Sequence, residues 1–193
     1  AQDMHPDLVV AGGNCNAHTG IGDPYLPFRE ILGLLTGDVE ARWAVGEISR
    51  EHARRLWALI RHSVPALISD APDLIDSLIP SPPLIARAQA AVPGAGWLTD
   101  LKEIAAQREA GLSGTDLLQS ALFEQYTKLL QALVREQPLL LVLDDLQWAD
   151  AGSLSLLFHL GRRLTHSRIL IVGLYRPADI AIGREGERHP LEP

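Results

Sequence analysis

A chain of 193 residues can bury one sizeable core, or one three-layer α/β unit, and nothing in it forces two domains. A formal charge of -7 and basic residues scattered in pairs, such as Arg54 with Arg55 or Arg162 with Arg163, exclude a nucleic-acid-binding stripe and fit solvated helix faces. With Cys15 as the only cysteine, an intramolecular disulfide and a thiolate zinc site are excluded, and no apolar run approaches the roughly 20 residues that cross a bilayer.

A reducing, cytoplasmic setting with no membrane partner and no nucleic-acid partner is the expectation. The sequence opens at Ala1 and stops at Pro193 in text that reads as protein interior, so it is expected to be an excised segment. Leu8 to Ala11 form a short apolar run closed by Gly12 and Gly13, which predicts a buried strand running into a turn. The glycine-rich stretch continuing through Gly20 and Gly22 has no lysine and reads as a flexible loop. Pro24 and Pro27 bracket a helix start, with Phe28, Ile31, Leu32 and Leu35 at helical spacing and Gly37 as the stop.

Ser49 is the expected N-cap of a second helix, whose Ala53, Leu56, Trp57 and Ile60 share one face. Pro65, Pro72, Pro80, Pro82 and Pro83 then predict short helical pieces, and residues 38–112 are expected to form a helical insert. A helix from about Asp100 to Glu109 precedes a break at Gly111 and Gly114. Thr115 stands where it can cap the longest helix, with Leu118, Leu122, Tyr126, Leu129 and Leu133 on one side and Pro138 at its end.

Leu139 to Leu143 run without a polar interruption, the pattern of a central parallel strand covered on both faces, and Asp144 and Asp145 stand at its exit. Asp150 can cap a helix carrying Leu154, Leu157, Leu160 and Leu164. Arg168 then opens a last strand, Ile169 to Leu174, which leads to Tyr175, Arg176 and Pro177. The order of strand, helices, strand, helix, strand implies a three-layer α/β sandwich with a small parallel sheet and right-handed crossovers.

Ligand crevices in open parallel sheets lie beyond the carboxyl ends of the strands, which makes Asp144, Asp145 and Arg176 the first candidates for chemistry. A carboxylate on a rigid apolar strand suits magnesium, a neighbouring acid can orient or deprotonate a water, and an arginine can meet charge on a terminal phosphate. The same residues also have plainer uses. Adjacent aspartates form turns, an arginine before a proline serves as a surface or ion-pair residue, and Asp150 serves as a helix cap.

The run LLLVLDDLQWADAGSLSLL, Leu139 to Leu157, resembles the Walker B segment of the STAND-type AAA ATPase domains found in large bacterial LuxR-family regulators, related multidomain activators and some cyclase and kinase fusions. The likeness extends through ILIVGLYRP, Ile169 to Pro177, and back to HPDLVVAGGNCNAHTGIGDPYLPFREIL, His5 to Leu32, with the middle helices matching only loosely. It implies a three-layer α/β/α P-loop NTPase-like fragment, a single partial domain over residues 1–193. Asp144 would then be the magnesium and nucleotide-site acid, Asp145 the catalytic acid-base residue and Arg176 the phosphate sensor. Trp148 and Asp150 belong to the pattern with structural roles. ATP and magnesium are the implied cofactors of the parent protein, an ATP-hydrolysing signalling switch of the transcription-regulator type.

One departure qualifies the likeness: no Gly-x-x-x-x-Gly-Lys-Ser/Thr loop is present, and Lys102 and Lys128 both fall in helical patterns. The segment is therefore expected neither to hold nucleotide tightly nor to hydrolyse it. The family's strand order would leave the edge of Ile169 to Leu174 without its neighbour, open to self-association. The alternative is a non-catalytic interaction module with structural aspartates. A phosphoacceptor receiver domain is excluded because no lysine follows Lys128, and a serine hydrolase because no Gly-x-Ser-x-Gly elbow occurs. The seven histidines lack metal spacing.

Overall fold

The computed structural model describes residues 5, 7–15, 24–110 and 118–182. Three strands, β1 (Val9–Asn14), β2 (Leu139–Asp144) and β3 (Ile169–Gly173), make a parallel sheet in the order β1-β2-β3. Val9 pairs with Leu139 and Leu139 with Ile169, so the strands start level and Asn14 lies beside Asp144 where they end. The long crossover from β1 to β2 carries α1 (Leu26–Leu35), α2 (Glu40–Ala44), α3 (Arg50–Asp70), α4 (Ser81–Ala91), α5 (Trp97–Glu109) and α6 (Gln119–Glu136). After β2 come α7 (Ala151–Arg163), β3 and α8 (Pro177–Ile182). This is the three-layer α/β/α fragment with a small parallel sheet that the element order implies.

The core lies where α1, α3 and α6 meet the sheet. Leu139, Leu141 and Leu143 alternate onto one face of β2 and are buried with Phe28, Ile31, Leu32, Leu129, Leu130 and Leu133. Leu140 and Val142, on the other face, are only half-buried, so β2 is covered less evenly than its unbroken apolar run suggests. Tyr126 is wholly buried, its ring edge-on to Phe28 and its hydroxyl donating to the Phe28 carbonyl at 3.0 Å. A buried hydroxyl without such an acceptor would be destabilising, which explains a tyrosine in this position of the core.

Several local expectations are met by visible chemistry. Ser49 caps α3 by accepting from the His52 N–H at 3.1 Å, and Asp150 caps α7 by accepting from the Ser153 N–H at 2.9 Å. Gly37 ends α1 with φ of 84°, a left-handed conformation, and a Cβ there would meet Ile60 Cδ1 at 2.4 Å.

Others are corrected. Gly12 and Gly13 do not turn the chain: they continue β1 to Asn14. The reason is steric, since a Cβ on Gly13 would stand 2.0 Å from the Pro27 carbonyl oxygen, so glycine is what lets α1 lie against the strand. Pro65 does not break its helix but lies inside α3, where Val64 and Leu67 are fully buried and packing holds the turn that the missing N–H would weaken. At 21 residues α3, not the 18-residue α6, is the longest helix among the described residues. Helix α5 starts at Trp97, ahead of the expected Asp100. The expectations at Gly20, Gly22, Gly111, Gly114 and Thr115 fall outside the described residues.

The helices of the crossover are tied together by a polar knot under α6. Asp73, in a 3-10 turn at Pro72–Leu74, accepts from Arg108 at 2.5 Å and from Gln125 Nε2 at 2.6 Å, while its own N–H donates to Gln125 Oε1 at 2.9 Å. One carboxylate thus joins α5, α6 and the turn between α3 and α4.

Candidate functional site

The chain leaves the sheet at Asp144 through a tight, well-held turn. Asp145 takes φ of 54° and ψ of 42°, a left-handed conformation that aspartate tolerates better than most residues, and its N–H donates to Asp144 Oδ1 at 2.8 Å. A 3-10 turn, Leu146–Trp148, follows. Leu146 N–H donates to the Leu174 carbonyl at 2.9 Å, and Leu174 N–H to the Leu143 carbonyl at 2.8 Å, so the ends of β2 and β3 are stitched together. The Leu146 side chain lies over Gly173, where a Cβ would come within 2.3 Å of Leu146 Cδ1.

This backbone brings Asp145 and Arg176 together, with Arg176 Nε 3.8 Å from Asp145 Oδ1 and the arginine and aspartate side chains 72% and 39% exposed. Gln147, itself buried, bridges them: its Nε2 donates to Asp145 Oδ1 at 2.7 Å and its Oε1 accepts from the Arg176 backbone N–H at 3.1 Å. Asp144 is exposed beside them, and its backbone carbonyl accepts from the Cys15 N–H at 3.0 Å. Asp150 is engaged otherwise, receiving Ser153 N–H and Oγ together with the Tyr25 N–H, which fixes it as a cap.

Cys15 marks the electrostatic character of this corner. Burial pushes its thiol up to about 12, and Asp150, Asp145, Glu30 and Asp144 add to the shift in that order. It therefore stays a neutral thiol at physiological pH and is unsuited to act as a nucleophile. Any stability that this protonated state lends is fully present below the ordinary value of 9.0 and is lost as the pH rises towards about 12.

Sequence reasoning missed Gln147 and Glu30. For Gln147 a signal existed: a polar residue between Leu146 and Trp148, in a segment that packs inward, must find partners. For Glu30 there was none. It sits on α1 yet reaches the sheet, accepting from the Asn14 N–H at 3.0 Å and from Arg42 at 2.7 Å, and only tertiary structure brings these together.

Among the described residues no group of three or more His, Cys, Asp or Glu is assembled to hold a metal. Magnesium does not require one, because it keeps several waters and is commonly held by one or two carboxylates together with phosphate. Asp144 fits that use: it is exposed, Oδ1 is engaged by the Asp145 N–H, and Oδ2 receives no hydrogen bond among the described residues.

Residues 2–172 match the family model of the AAA ATPase domain. The chain belongs to that family. No curated protein and no solved structure matches it. AAA ATPase domains use nucleotide and magnesium in general. Among the described residues no helix is long and apolar enough to cross a membrane.

Proposed function

We propose that this AAA ATPase domain is the magnesium and sensor side of an ATP-dependent signalling switch of the STAND type, like those of LuxR-family transcriptional regulators. The observation that carries the reading is the meeting of Asp145 and Arg176, at 3.8 Å, beside an exposed Asp144 whose Oδ2 receives no hydrogen bond among the described residues. Asp144 would hold magnesium, which when bound neutralises phosphate charge. Asp145 orients or deprotonates the attacking water through Oδ2, the oxygen that neither Gln147 nor Arg176 engages. Arg176 meets the terminal phosphate, and to do so it leaves Asp145, so the ion pair is the resting arrangement of the site.

The 193 residues contain no phosphate-binding loop, and the reading therefore assigns this stretch weak nucleotide affinity on its own. It also treats residues 1–193 as one domain, with 38–112 as a helical insert, in a cytoplasmic protein that binds no nucleic acid through this segment. At the sheet edge, Leu170 is 61% exposed on β3, and a second copy of the chain can pair there. A monodisperse monomer by light scattering at high concentration would count against that pairing.

Titration with fluorescent ATP and magnesium tests the central reading, run on this chain and on one lengthened by the residues that precede it in the gene. Binding that appears only on lengthening, and that drops when Asp144 is changed to Asn, supports the switch. Absence of binding in both chains would support the second reading, an interaction module in which the aspartates are structural. That reading draws on the full use of Asp150 as a cap and the mutual satisfaction of Asp145, Gln147 and Arg176.

A further inference from the structure

A cluster of arginines lies on α3, away from the carboxyl ends of the strands. Arg54, Arg55, Ala58 and Arg61 line a cavity of about 330 Å³ together with Gln137, the C-cap residue of α6, and this volume is within the range of small-molecule sites. Helical spacing produces the arrangement: Arg54, Ala58 and Arg61 follow one another at i, i+4 and i+7 along one stripe, with Arg55 beside them. The alanine between the arginines leaves open the space that a longer side chain would fill. Gln137 precedes β2, which Asp144 closes, so this cavity and the acids of the site above stand at opposite ends of the strand.

The cations here outnumber their partners. Among the described residues Glu51 is the one carboxylate within ion-pair distance of any of the three, and it is shared: Arg54 Nη2 lies 3.2 Å from its Oε2 and Arg55 Nε 3.2 Å from its Oε1. Hydrogen bonds from Arg55 and then Arg54 hold the Glu51 carboxyl below its usual value. Arg61 has no carboxylate among the described residues, and its Nε donates only to the Ala58 carbonyl at 3.2 Å. Arg55 Nη1 is buried and donates to nothing among the described residues, an orphaned donor on a residue that lines the cavity. Neighbouring negative charge is engaged elsewhere. Glu136 lies 3.6 Å from His62 Nδ1, and the negative end of α6 is covered by Arg168, which donates to the Val134 and Arg135 carbonyls. Three guanidiniums against one shared carboxylate leave two positive charges around the cavity, in a chain whose formal charge is -7. The rest of the surface therefore repels a long polyanion, whereas a small dianion meets only the local excess.

We propose that this cavity binds the phosphoryl group of a small phosphomonoester, held over Ala58 by Arg54 and Arg61, with Arg55 gaining the acceptor that its Nη1 lacks. Guanidinium forks match phosphoryl oxygens by paired, charge-assisted hydrogen bonds, and the two spare positive charges match the two negative charges of the ester. Arg55 reaches the ligand by a small rotation, because Glu51 engages its Nε and leaves the far side of the fork unused. The site does not depend on the nucleotide reading: Asp144, Asp145 and Arg176 are absent from its lining, and it calls for no magnesium.

The test is a titration of the full chain with phenyl phosphate, followed by two-dimensional amide NMR in EDTA at fixed ionic strength and about pH 7.5, where a phosphomonoester carries close to two charges. Saturable shifts are expected in 54–61 and at Gln137, with a Kd of about 1 mM or tighter. Phenyl sulfate, with one charge fewer, should bind about tenfold more weakly, and phenol should give no saturable shift there. Arg61→Gln should weaken phenyl phosphate about tenfold or more, whereas Arg163→Gln, which removes an equal charge from α7, should leave its binding unchanged. Circular dichroism checks that both variants fold; Arg54→Gln replaces Arg61→Gln if the latter does not, and the comparison of phosphate, sulfate and phenol on the unaltered chain stands by itself. Absence of saturable shifts, shifts confined to other parts of the molecule, or a folded Arg61→Gln chain that binds unchanged would each overturn the site. Equal losses in Arg61→Gln and Arg163→Gln would overturn it too, since only net charge would then be sensed. Sulfate binding as tightly as phosphate, or phenol shifting the same amides, would overturn the assignment to a dianionic phosphoryl group.

Discussion

The two outer strands of the sheet are built from similar aliphatic residues but live in different surroundings. On the β1 side, α1, α3 and α6 close over the sheet, and Phe28, Ile31, Leu32, Leu56, Leu59 and Tyr126 are all buried. On the β3 side no strand residue is buried, and Leu170, Leu174, Tyr175 and Phe158 are exposed. The first side supplies the stability of the molecule, and the second supplies the residues left free to meet something else. Asp145 and Arg176 lie on the boundary, with their backbones fixed by the sheet and their side chains in solvent.

If that division is real, the same kind of truncation must cost very different amounts on the two sides. Leu141→Ala, in the middle of β2, is expected to destabilise the chain by about 3–4 kcal/mol in chemical denaturation, whereas Leu170→Ala should cost less than about 1 kcal/mol. Equal costs would break the comparison. Gly13→Ala sharpens it from the well-packed side: its methyl group runs into the backbone of Pro27, which α1 cannot yield without leaving β1, and a loss of about 2–3 kcal/mol is expected.

Asp73→Ala asks how far the helical side depends on its polar knot. Removing the carboxylate leaves Arg108, whose side chain is largely buried, without its partner, and a lower midpoint corresponding to about 1–2 kcal/mol should follow, the partial exposure of Asp73 moderating the effect. A modest change belongs to the boundary. Gln147→Leu removes both bridges to Asp145 and Arg176 and should cost about 1 kcal/mol, with amide NMR showing displacement at 145 and 176 while β1 is undisturbed.

What could be read from the sequence follows from the range of the forces involved. Leu139 to Leu143 reads as strand because five aliphatic residues have few other places to go, and Ser49 and Asp150 read as caps because capping is settled within one turn. Gly12 and Gly13 misread as a turn because their role is set by Pro27, on a different element. Pro65 misread as a break because burial of Val64 and Leu67 outweighs a local penalty that the sequence displays openly. At the site, Asp144, Asp145 and Arg176 could be located because strand ends are predictable places. Their bridge through Gln147 and the approach of Glu30 from α1 required the fold, since each depends on residues brought together from distant parts of the chain.

The pair of hydrogen bonds joining Leu146 to Leu174 and Leu174 to Leu143 has a mechanical consequence. Acid and guanidinium ride on a single welded corner, so sideways pressure on the outer strand carries both along instead of prising them apart. The gap between them is then adjusted by rotation within the arginine side chain, which behaves like a swinging arm on a fixed post.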